Sequence, residues 1–202
     1  EWANKAKRGA DAEIRKCIGC CRCIDAISYG RHSQCSVNPR LGRELEYDAL
    51  INDGNGRKIV VVGGGVAGMQ SAKVLSERGF AVTLLEAESE LGGALNVADK
   101  NVNKEKLTWL VETMKLELSK LDIDIRLNTR ADAEMIRELN PDGVFVCCGG
   151  THILPKVPSY DSEKAVQVKD YLLGKRTVGH SVAIIGSGAT GVETAATLAV
   201  SY

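Results

Sequence analysis

The sequence predicts an α/β fold of the Rossmann-like type, with an irregular N-terminal segment before it and a second, truncated unit after it. A short β-branched run at 58–62 leads into a Gly-rich turn and then a helical pattern. The same pattern returns about 120 residues later, at 181–191. Five of the seven cysteines lie between residues 17 and 35, before the first strand. These three observations define the predicted organisation.

The composition narrows the class of protein. The 202 residues carry 26 basic and 26 acidic side chains, so neither nucleic acid nor an anionic membrane surface is expected as a partner. No apolar run reaches the ~20 residues of a membrane span, and the polar start is unlike a signal peptide. The odd, clustered cysteines indicate a reducing, cytoplasmic setting. The chain lacks an initiator methionine and stops within a helical pattern, which we interpret as a piece of a longer protein.

The N-terminal part divides into a polar stretch, residues 1–16, and a cysteine segment, residues 17–50. Three thiols fall in one tight loop and a fourth follows twelve residues later. Four thiolates can close a tetrahedral zinc site or hold the corners of a 4Fe–4S cube. Zinc sites usually space their ligands as two separate pairs, so the three-plus-one arrangement favours an iron–sulfur cluster. The predicted metal ligands are Cys17, Cys20, Cys23 and Cys35.

Alternatives stay open within the cysteine segment. A structural zinc site is the other metal, and Cys21 could replace a neighbouring thiol as a ligand. His32 could in principle bind a metal, but we favour the interpretation that it is a loop histidine. Three cations, Arg15, Lys16 and Arg22, would offset the charge of a cluster, or they are ordinary surface residues.

Residues 57–150 form the first predicted nucleotide-binding unit. Gly63 permits the tight turn out of the strand, Gly65 lets the backbone approach a pyrophosphate, and Gly68 lets helix and strand pack closely. The N-terminus of the next helix offers free N–H groups and a partial positive charge to phosphates. The helical pattern ends at Gly79, which suits a C-terminal turn. The turn is therefore a predicted pyrophosphate site, the alternative being a Rossmann-like unit that binds nothing.

The second strand of this unit, at 80–86, ends in a carboxylate. Glu86 lies eighteen residues beyond Gly68, where an acidic side chain is expected to meet ribose hydroxyls and to repel a 2′-phosphate. Gly92 and Gly93 follow closely. They would allow the isoalloxazine arm of a flavin cofactor to pass, or they form a flexible loop.

The remaining pattern completes the first unit. Apolar spacing predicts a helix over 104–121, and alternation predicts a half-exposed strand over 123–127. A short helix is expected over 131–139 and a buried strand over 143–147. That strand ends in the pair Cys147 and Cys148, for which packing is favoured over a redox role.

Residues 151–180 show little periodicity and are predicted to be a linker. Residues 181–202 then begin a second unit, with a strand over 181–185 followed by Gly186, Gly188 and Gly191. The natural ligand of this turn would be NADH or NADPH. The strand that would carry the discriminating residue is not part of the sequence, so the choice between the two stays open.

Two stretches of sequence resemble a known family. They are Trp2-x-x-Lys5 with Ile14-Arg-x-Cys17-Ile-Gly-Cys20, and Cys35-x-Val37-Asn38-Pro39-x-x-Gly42-x-Glu44. Together with the two Gly-rich turns, they resemble the C-terminal half of the old yellow enzyme-related NADH:flavin oxidoreductases that carry an iron–sulfur cluster. This group includes 2,4-dienoyl-CoA reductase, enoate reductases and trimethylamine dehydrogenase. The resemblance covers essentially the whole chain.

The resemblance implies an electron path through several cofactors. NAD(P)H would reduce FAD, FAD would reduce the 4Fe–4S cluster, and the cluster would feed FMN, which reduces an activated C=C bond of the enoate or enoyl-CoA type. In the amine-dehydrogenase branch, electrons leave the substrate through FMN and the cluster, and ADP occupies the FAD-like site. A non-enzymatic zinc-binding and nucleotide-binding module is the alternative from another class.

Carried over to this chain, the resemblance assigns roles to two sets of residues. The four predicted cysteine ligands would hold the cluster, and Gly63, Gly65, Gly68 and Glu86 would hold the adenosine diphosphate portion of FAD. FMN and the small-molecule substrate would bind in an N-terminal barrel that ends within residues 1–16, so no catalytic residue is expected here. A homo-oligomer is a further expectation. The family pattern differs at the two-residue spacing after Cys20 and at Cys147-Cys148-Gly149-Gly150.

Overall fold

The computed structural model describes residues 2–47, 50–154 and 157–201. The predicted segments 1–16, 17–50, 151–180 and 181–202 each include one or two residues outside this description. Four parallel strands form one sheet: β1 (Lys58–Val62), β2 (Ala81–Leu85), β3 (Ile123–Arg126) and β4 (Gly143–Val146). Their spatial order is β3-β2-β1-β4. The strands β2 and β3 are therefore added on one side of β1 and β4 on the other, so the strand order reverses between β1 and β4.

The helices alternate with these strands. Before the sheet lie α1 (Trp2–Lys7), a 3₁₀ turn (Asp11–Glu13), α2 (Arg22–Ser28) and α3 (Glu44–Tyr47). Within the sheet region lie α4 (Val66–Glu77), α5 (Leu95–Ala98), α6 (Glu105–Leu118) and α7 (Ala133–Leu139). After it lie α8 (Val168–Leu172) and α9 (Ala189–Ser201). The predicted α/β Rossmann-like class is confirmed.

The core lies between one face of the sheet and helices α4 and α6. Val61 and Leu84 of the two central strands are fully buried. They meet apolar residues spaced three or four apart on each helix, as the helical period requires. These residues are Met69, Ala72 and Leu75 on α4, and Leu110, Met114 and Leu118 on α6. The core therefore fixes α4, whose first turn follows β1, directly against the sheet.

Helix α4 ends as its sequence predicts. Gly79 adopts a φ of +82°, and its N–H donates to the carbonyl of Ser76. The N–H of Phe80 reaches back to the carbonyl of Leu75 at 3.1 Å. These two bonds form the Schellman arrangement, which turns the chain from α4 into β2.

Three expectations about elements need correction. Among the described strands, the one at 143–147 is an edge strand, β4, and its side chains are largely exposed where a buried strand was expected. The run at 181–185 pairs with no described strand, and Ile185 is 71% exposed. A β-branched run becomes a strand only where a neighbour accepts its backbone hydrogen bonds. The cysteine segment is not wholly irregular, since it contains α2.

Most of the predicted linker 151–180 has no regular structure apart from α8. Within the part of the chain that the structure describes, no helix combines the length and hydropathy needed to cross a bilayer.

Candidate functional site

The first Gly-rich turn lies where β1 ends, beside the reversal of strand order between β1 and β4. Gly63 adopts a φ of +104°, a conformation that favours glycine. A Cβ on Gly63 would lie 2.5 Å from the carbonyl oxygen of Cys147, and one on Gly68 would lie 1.8 Å from the oxygen of Gly63. Both positions therefore exclude any side chain. In open α/β sheets such a crevice, at the carboxyl ends of the strands, is where ligands bind.

Helix α4 begins immediately after this turn. Gly65 is its N-cap in an extended conformation, and the first helical hydrogen bond runs from the N–H of Met69 to the carbonyl of Gly65. The N–H groups of the first turn precede that bond and point out of the helix end. The position of a Cβ on Gly65 has only the Cα of Gly93 nearby, at 4.0 Å, so the backbone there is bare. A bare helix N-terminus of this kind suits a pyrophosphate.

Glu86 lies beneath the turn, 8% exposed. Its Oε2 accepts the N–H of Gly64 at 2.5 Å, and its Oε1 accepts the N–H of Glu88 at 2.8 Å. A Cβ on Gly64 would lie 2.5 Å from Leu91 Cδ2 and 2.9 Å from Oε2, so a larger residue there would have to displace these two side chains. The carboxylate therefore braces the turn through two backbone hydrogen bonds, and its role toward a ribose stays a prediction.

Gly92 and Gly93 belong to the same cradle. The N–H of Gly92 donates to the carbonyl of Gly64 at 2.9 Å, and a Cβ on Gly93 would lie 3.0 Å from the Cα of Gly65. Leu91 is buried in the core, and the Asn96 amide donates to its carbonyl at 3.1 Å. The stretch is thus a backbone layer held against the turn, which contradicts the flexible-loop interpretation.

Cys147 and Cys148 flank the other side of the turn. The N–H of Cys147 donates to the carbonyl of Val62 at 2.7 Å, and its side chain packs against the core. Cys148 is exposed, with Sγ 3.7 Å from the carbonyl oxygen of Val62. The packing role that the sequence favours for the pair is therefore met by Cys147, and is wrong for the exposed Cys148.

The cysteine segment packs against the core at Ile18, Cys35 and Val37. All seven cysteines are described and all are free thiols. Cys17, Cys20 and Cys21 are exposed, whereas Cys23, on α2, and Cys35 are partly buried. Among the described residues, no three His, Cys, Asp or Glu side chains converge as ligands of a single ion. The cluster ligands stay a prediction.

The chemistry of this donor set nevertheless fits a thiolate-bound cluster. The N–H of Gly19 donates to Cys17 Sγ at 3.3 Å. A hydrogen bond with the Ser36 hydroxyl, at 3.3 Å, is the main cause that lowers the pKa of Cys20, and backbone N–H groups add to it. A hydrogen bond donated to sulfur, such as that from Gly19 to Cys17, tunes the potential of an iron–sulfur cluster when one is bound. Cys21, the N-cap of α2, has a φ of 56° and its Sγ lies 3.7 Å from the Gly19 carbonyl.

The predicted role of the flanking cations needs correction at Arg15. Its guanidinium faces Glu117 of α6, so its charge is neutralised there. The Lys16 ammonium lies 5.3 Å from the Trp109 ring centroid, and Arg22 donates to the Gln34 amide oxygen. His32 is an exposed loop residue, as expected.

The second Gly-rich turn has the local geometry of the first. Gly186 adopts a φ of +115°, and a Cβ on Gly191 would lie 2.0 Å from the oxygen of Gly186. Gly188 has open space where a Cβ would lie. Helix α9 follows this turn and is held to the first unit by Lys104 and Glu193, 2.6 Å apart. The turn therefore forms although the run before it joins no sheet.

A glycine-lined turn over a buried carboxylate, at the point where strand order reverses, defines a dinucleotide-binding α/β protein. The chain belongs to the pyridine nucleotide-disulphide oxidoreductase family, whose sequence profile matches residues 37–154. This family membership supports binding of FAD and NADH.

Two curated relatives and one solved structure illustrate the relationship. The NADH oxidase of Thermoanaerobacter brockii is 38% identical over 205 residues, which cover 98% of this chain and 32% of that protein. The N,N-dimethylglycine/sarcosine dehydrogenase of Chromohalobacter salexigens is 38% identical over 183 residues, covering 86% and 26%. A 2-naphthoyl-CoA reductase in complex with 2-naphthoyl-CoA is 30% identical with a TM-score of 0.92, covering 98% and 30%.

The chain thus spans between a quarter and a third of the length of the proteins it matches. The predicted relationship to the NADH:flavin oxidoreductases related to old yellow enzyme is confirmed, and so is the expectation of an oxidoreductase.

Sequence reasoning missed two parts of this site. Gly64 was not singled out, although three consecutive glycines at 63–65 are the signal for it. The partner of Arg15 was missed as well. Glu117 lies 102 residues away in sequence, and nothing local marks it as a partner.

Proposed function

We propose that this chain is the electron-transfer portion of a flavin and iron–sulfur oxidoreductase. When bound, the cofactors would supply a relay from NAD(P)H through FAD and a 4Fe–4S cluster to FMN, for reduction of an activated C=C bond. The observation that carries the proposal is the placement of the two candidate sites. The first Gly-rich turn opens α4, and the cysteine segment packs at Ile18, Cys35 and Val37 against the core that α4 and α6 help to form, so both sites adjoin one core.

The chain's own residues would position the cofactors and perform no bond chemistry. Gly63, Gly65 and Gly68 leave the backbone bare for the adenosine diphosphate portion of FAD, and Glu86 would accept a ribose hydroxyl. The thiolates of Cys17, Cys20, Cys23 and Cys35 would hold the cluster. Gly186, Gly188 and Gly191 would receive the nicotinamide cofactor.

A second candidate is an amine dehydrogenase with structural ADP in the FAD-like site. The similarity to a dimethylglycine and sarcosine dehydrogenase favours it. Glu86 suits the ribose of either ligand, so the site geometry supports both candidates equally. The nucleotide extracted from purified protein separates them: FAD supports the first candidate and ADP the second.

The test is the metal content of protein purified without oxygen. Iron, acid-labile sulfide and zinc are measured per chain, together with a visible spectrum of the same sample. About four irons and four sulfides, with absorbance near ~400 nm, are expected of a 4Fe–4S cluster. One zinc without iron would overturn the proposal and leave a nucleotide-binding module with a structural metal.

A matched pair of variants assigns the ligands. Cys17→Ser removes a predicted ligand and is expected to abolish iron binding. Cys148→Ser removes an exposed thiol outside the cysteine segment and is expected to leave the iron content unchanged.

A further inference from the structure

Arg15 joins three separate parts of the chain. Its Nε donates to both carboxylate oxygens of Glu117 on α6, at 2.9 and 3.1 Å, and Nη2 also contacts Oε2. The same Nη2 donates to the side-chain oxygen of Gln70 on α4 at 3.0 Å, and Nη1 donates to the carbonyl of Val37 at 3.1 Å. One guanidinium therefore bridges two helices and the chain that follows Cys35.

The contact is well shielded from water. The side chains of Arg15 and Glu117 are 15% and 14% exposed. Lys73 on α4 adds a second cation to the same carboxylate, 3.0 Å from Oε2. A planar guanidinium donates its hydrogen bonds in fixed directions, so it can bind a carboxylate and two further acceptors at once. The rotatable donors of an ammonium group do not fix this arrangement. The residue type is therefore specific to this geometry.

The bridged points, Arg15 and Val37, flank residues 17–35, the part of the cysteine segment that carries its five cysteines. Ile14, beside Arg15, is 6% exposed, and Val37 is 6% exposed and belongs to the core. The segment between them, which carries five cysteines, is otherwise largely at the surface. Gln70 lies two residues after Gly68 on the helix that begins at the Gly-rich turn. Arg15 thus links the chain on either side of residues 17–35 to α4, the helix that begins at the first Gly-rich turn.

We propose that Arg15 is a positioning residue that sets the placement of residues 17–35, the part of the cysteine segment that carries the predicted ligands, relative to the first Gly-rich turn. The inference rests on the proposed function, because the separation of thiols and nucleotide site matters only if electrons pass between them. Arg15 touches neither site. Its bonds to Val37, Gln70 and Glu117 fix the segment at both ends.

The test compares Arg15→Lys with Arg43→Lys in the full chain purified without oxygen. Arg43 makes the same kind of pair with Glu46, but the two side chains are 54% and 57% exposed. Hydrogen exchange of amides 17–36 reports the cysteine segment, and amides of β1 and β2 report the core. Gln70→Ala, which removes only the contact to α4, is the milder variant should Arg15→Lys fold poorly.

In Arg15→Lys, amides 17–36 are expected to exchange about tenfold faster, because hydrogen bonds to charged groups are lost. Amides of β1 and β2 should be unchanged, as should every amide in Arg43→Lys. Equal loss of protection throughout the core would mean a merely structural residue, and no loss at 17–36 would mean no role. Either result overturns the inference.

The iron content of the same samples keeps the two proposals separate. With iron and FAD both retained, FAD would take the hydride of NADH and pass single electrons to the cluster. Loss of the cluster's ~400 nm absorbance on mixing with NADH should then be slower in Arg15→Lys than in Arg43→Lys. Equal rates would overturn the inference. Absence of iron in the parent chain overturns the proposed function instead, and the exchange data alone then decide whether Arg15 holds the segment.

Discussion

Glu86 holds the first Gly-rich turn with the same carboxylate that is proposed to meet a ribose. Its oxygens accept the N–H groups of Gly64 and Glu88 from below the Gly-rich turn. A carboxylate offers about four lone-pair positions, so each oxygen can still accept a ribose hydroxyl. The acid that sequence analysis assigns to ribose binding therefore also stabilises the turn before any ligand arrives.

Glu86→Gln should weaken the turn even without nucleotide. A glutamine amide presents an NH₂ group to one of two backbone donors, which leaves a buried donor unsatisfied and costs about 1–3 kcal/mol. The measurement is urea-induced unfolding. Glu88→Gln makes the same change at an exposed position and should unfold like the parent chain. Equal midpoints for the two variants would contradict a bracing role for Glu86.

At the scale of elements, the two Gly-rich turns separate local from non-local determinants of structure. Gly63 and Gly186 adopt similar positive φ values, and Gly68 and Gly191 make the same close approach behind them. The turn and the start of its helix therefore follow from local sequence. The strand does not, because β1 pairs with β2 and β4 whereas the run at 181–185 pairs with no described strand.

Gly68→Ala and Gly191→Ala should therefore differ sharply. A methyl group at either position would lie within about 2 Å of a backbone oxygen, at 1.8 and 2.0 Å respectively. Gly68→Ala should cost roughly 3 kcal/mol of global stability because it overpacks the core unit. Gly191→Ala should leave exchange protection of β1 and β2 unchanged. Gly179→Ala, at a position with no atom nearby, is the neutral control. Equal global destabilisation by both variants would show that the two turns fold as one unit.

Features of the structure that depend on local sequence were predictable, and features that depend on distant parts of the chain were not. The strands at 58–62 and 81–85, the helix that begins at residue 66 and its end at Gly79 were predictable, since each has a local pattern. The exposure of β4 was not, because the same apolar run suits a central or an edge strand and only the sheet order decides between them. The same is true of the candidate site. The glycines and Glu86 were predictable because their spacing in the sequence is characteristic, whereas no local pattern marks Arg15 and Glu117 as a pair.

At the scale of the whole molecule, a charge network joins the cysteine segment to the nucleotide-binding unit. The Glu117 carboxylate pairs with both Arg15 and Lys73. The Lys73 Nζ also lies 3.9 Å from Oε1 of Glu77. Burial raises the pKa of Glu117, but the hydrogen bonds and charges of Arg15 and then Lys73 outweigh it, so the pKa is lowered overall. The carboxylate is thus more stable in the folded chain than in the unfolded one.

This shift predicts an acid-sensitive junction. Because the folded pKa is lowered, the unfolded state binds more protons in acid, so the stabilisation is complete above the ordinary glutamate pKa of about 4.3. It is lost as the pH falls through the lowered folded value. The free energy of unfolding, measured between neutral pH and pH ~3, should fall more steeply in the parent chain than in Glu117→Gln.

Other carboxylates with lowered pKa values, such as Glu46 and Asp53, lie in exposed pairs and remain in both proteins. The difference between the two curves therefore isolates Glu117. Parallel curves would contradict a contribution from this junction.

The two edges of the sheet differ in their capacity to recruit other chains. β3 exposes Asp124 and Arg126, which pair with each other at 2.7 Å and place charge along that edge. β4 exposes only apolar side chains, with Val146 78% exposed. An exposed apolar edge strand offers unpaired backbone groups and apolar side chains to a strand of another chain. Charged side chains oppose this pairing between chains. Aggregation of this chain during expression or refolding is therefore expected to start at β4, and a lysine at position 146 would oppose it.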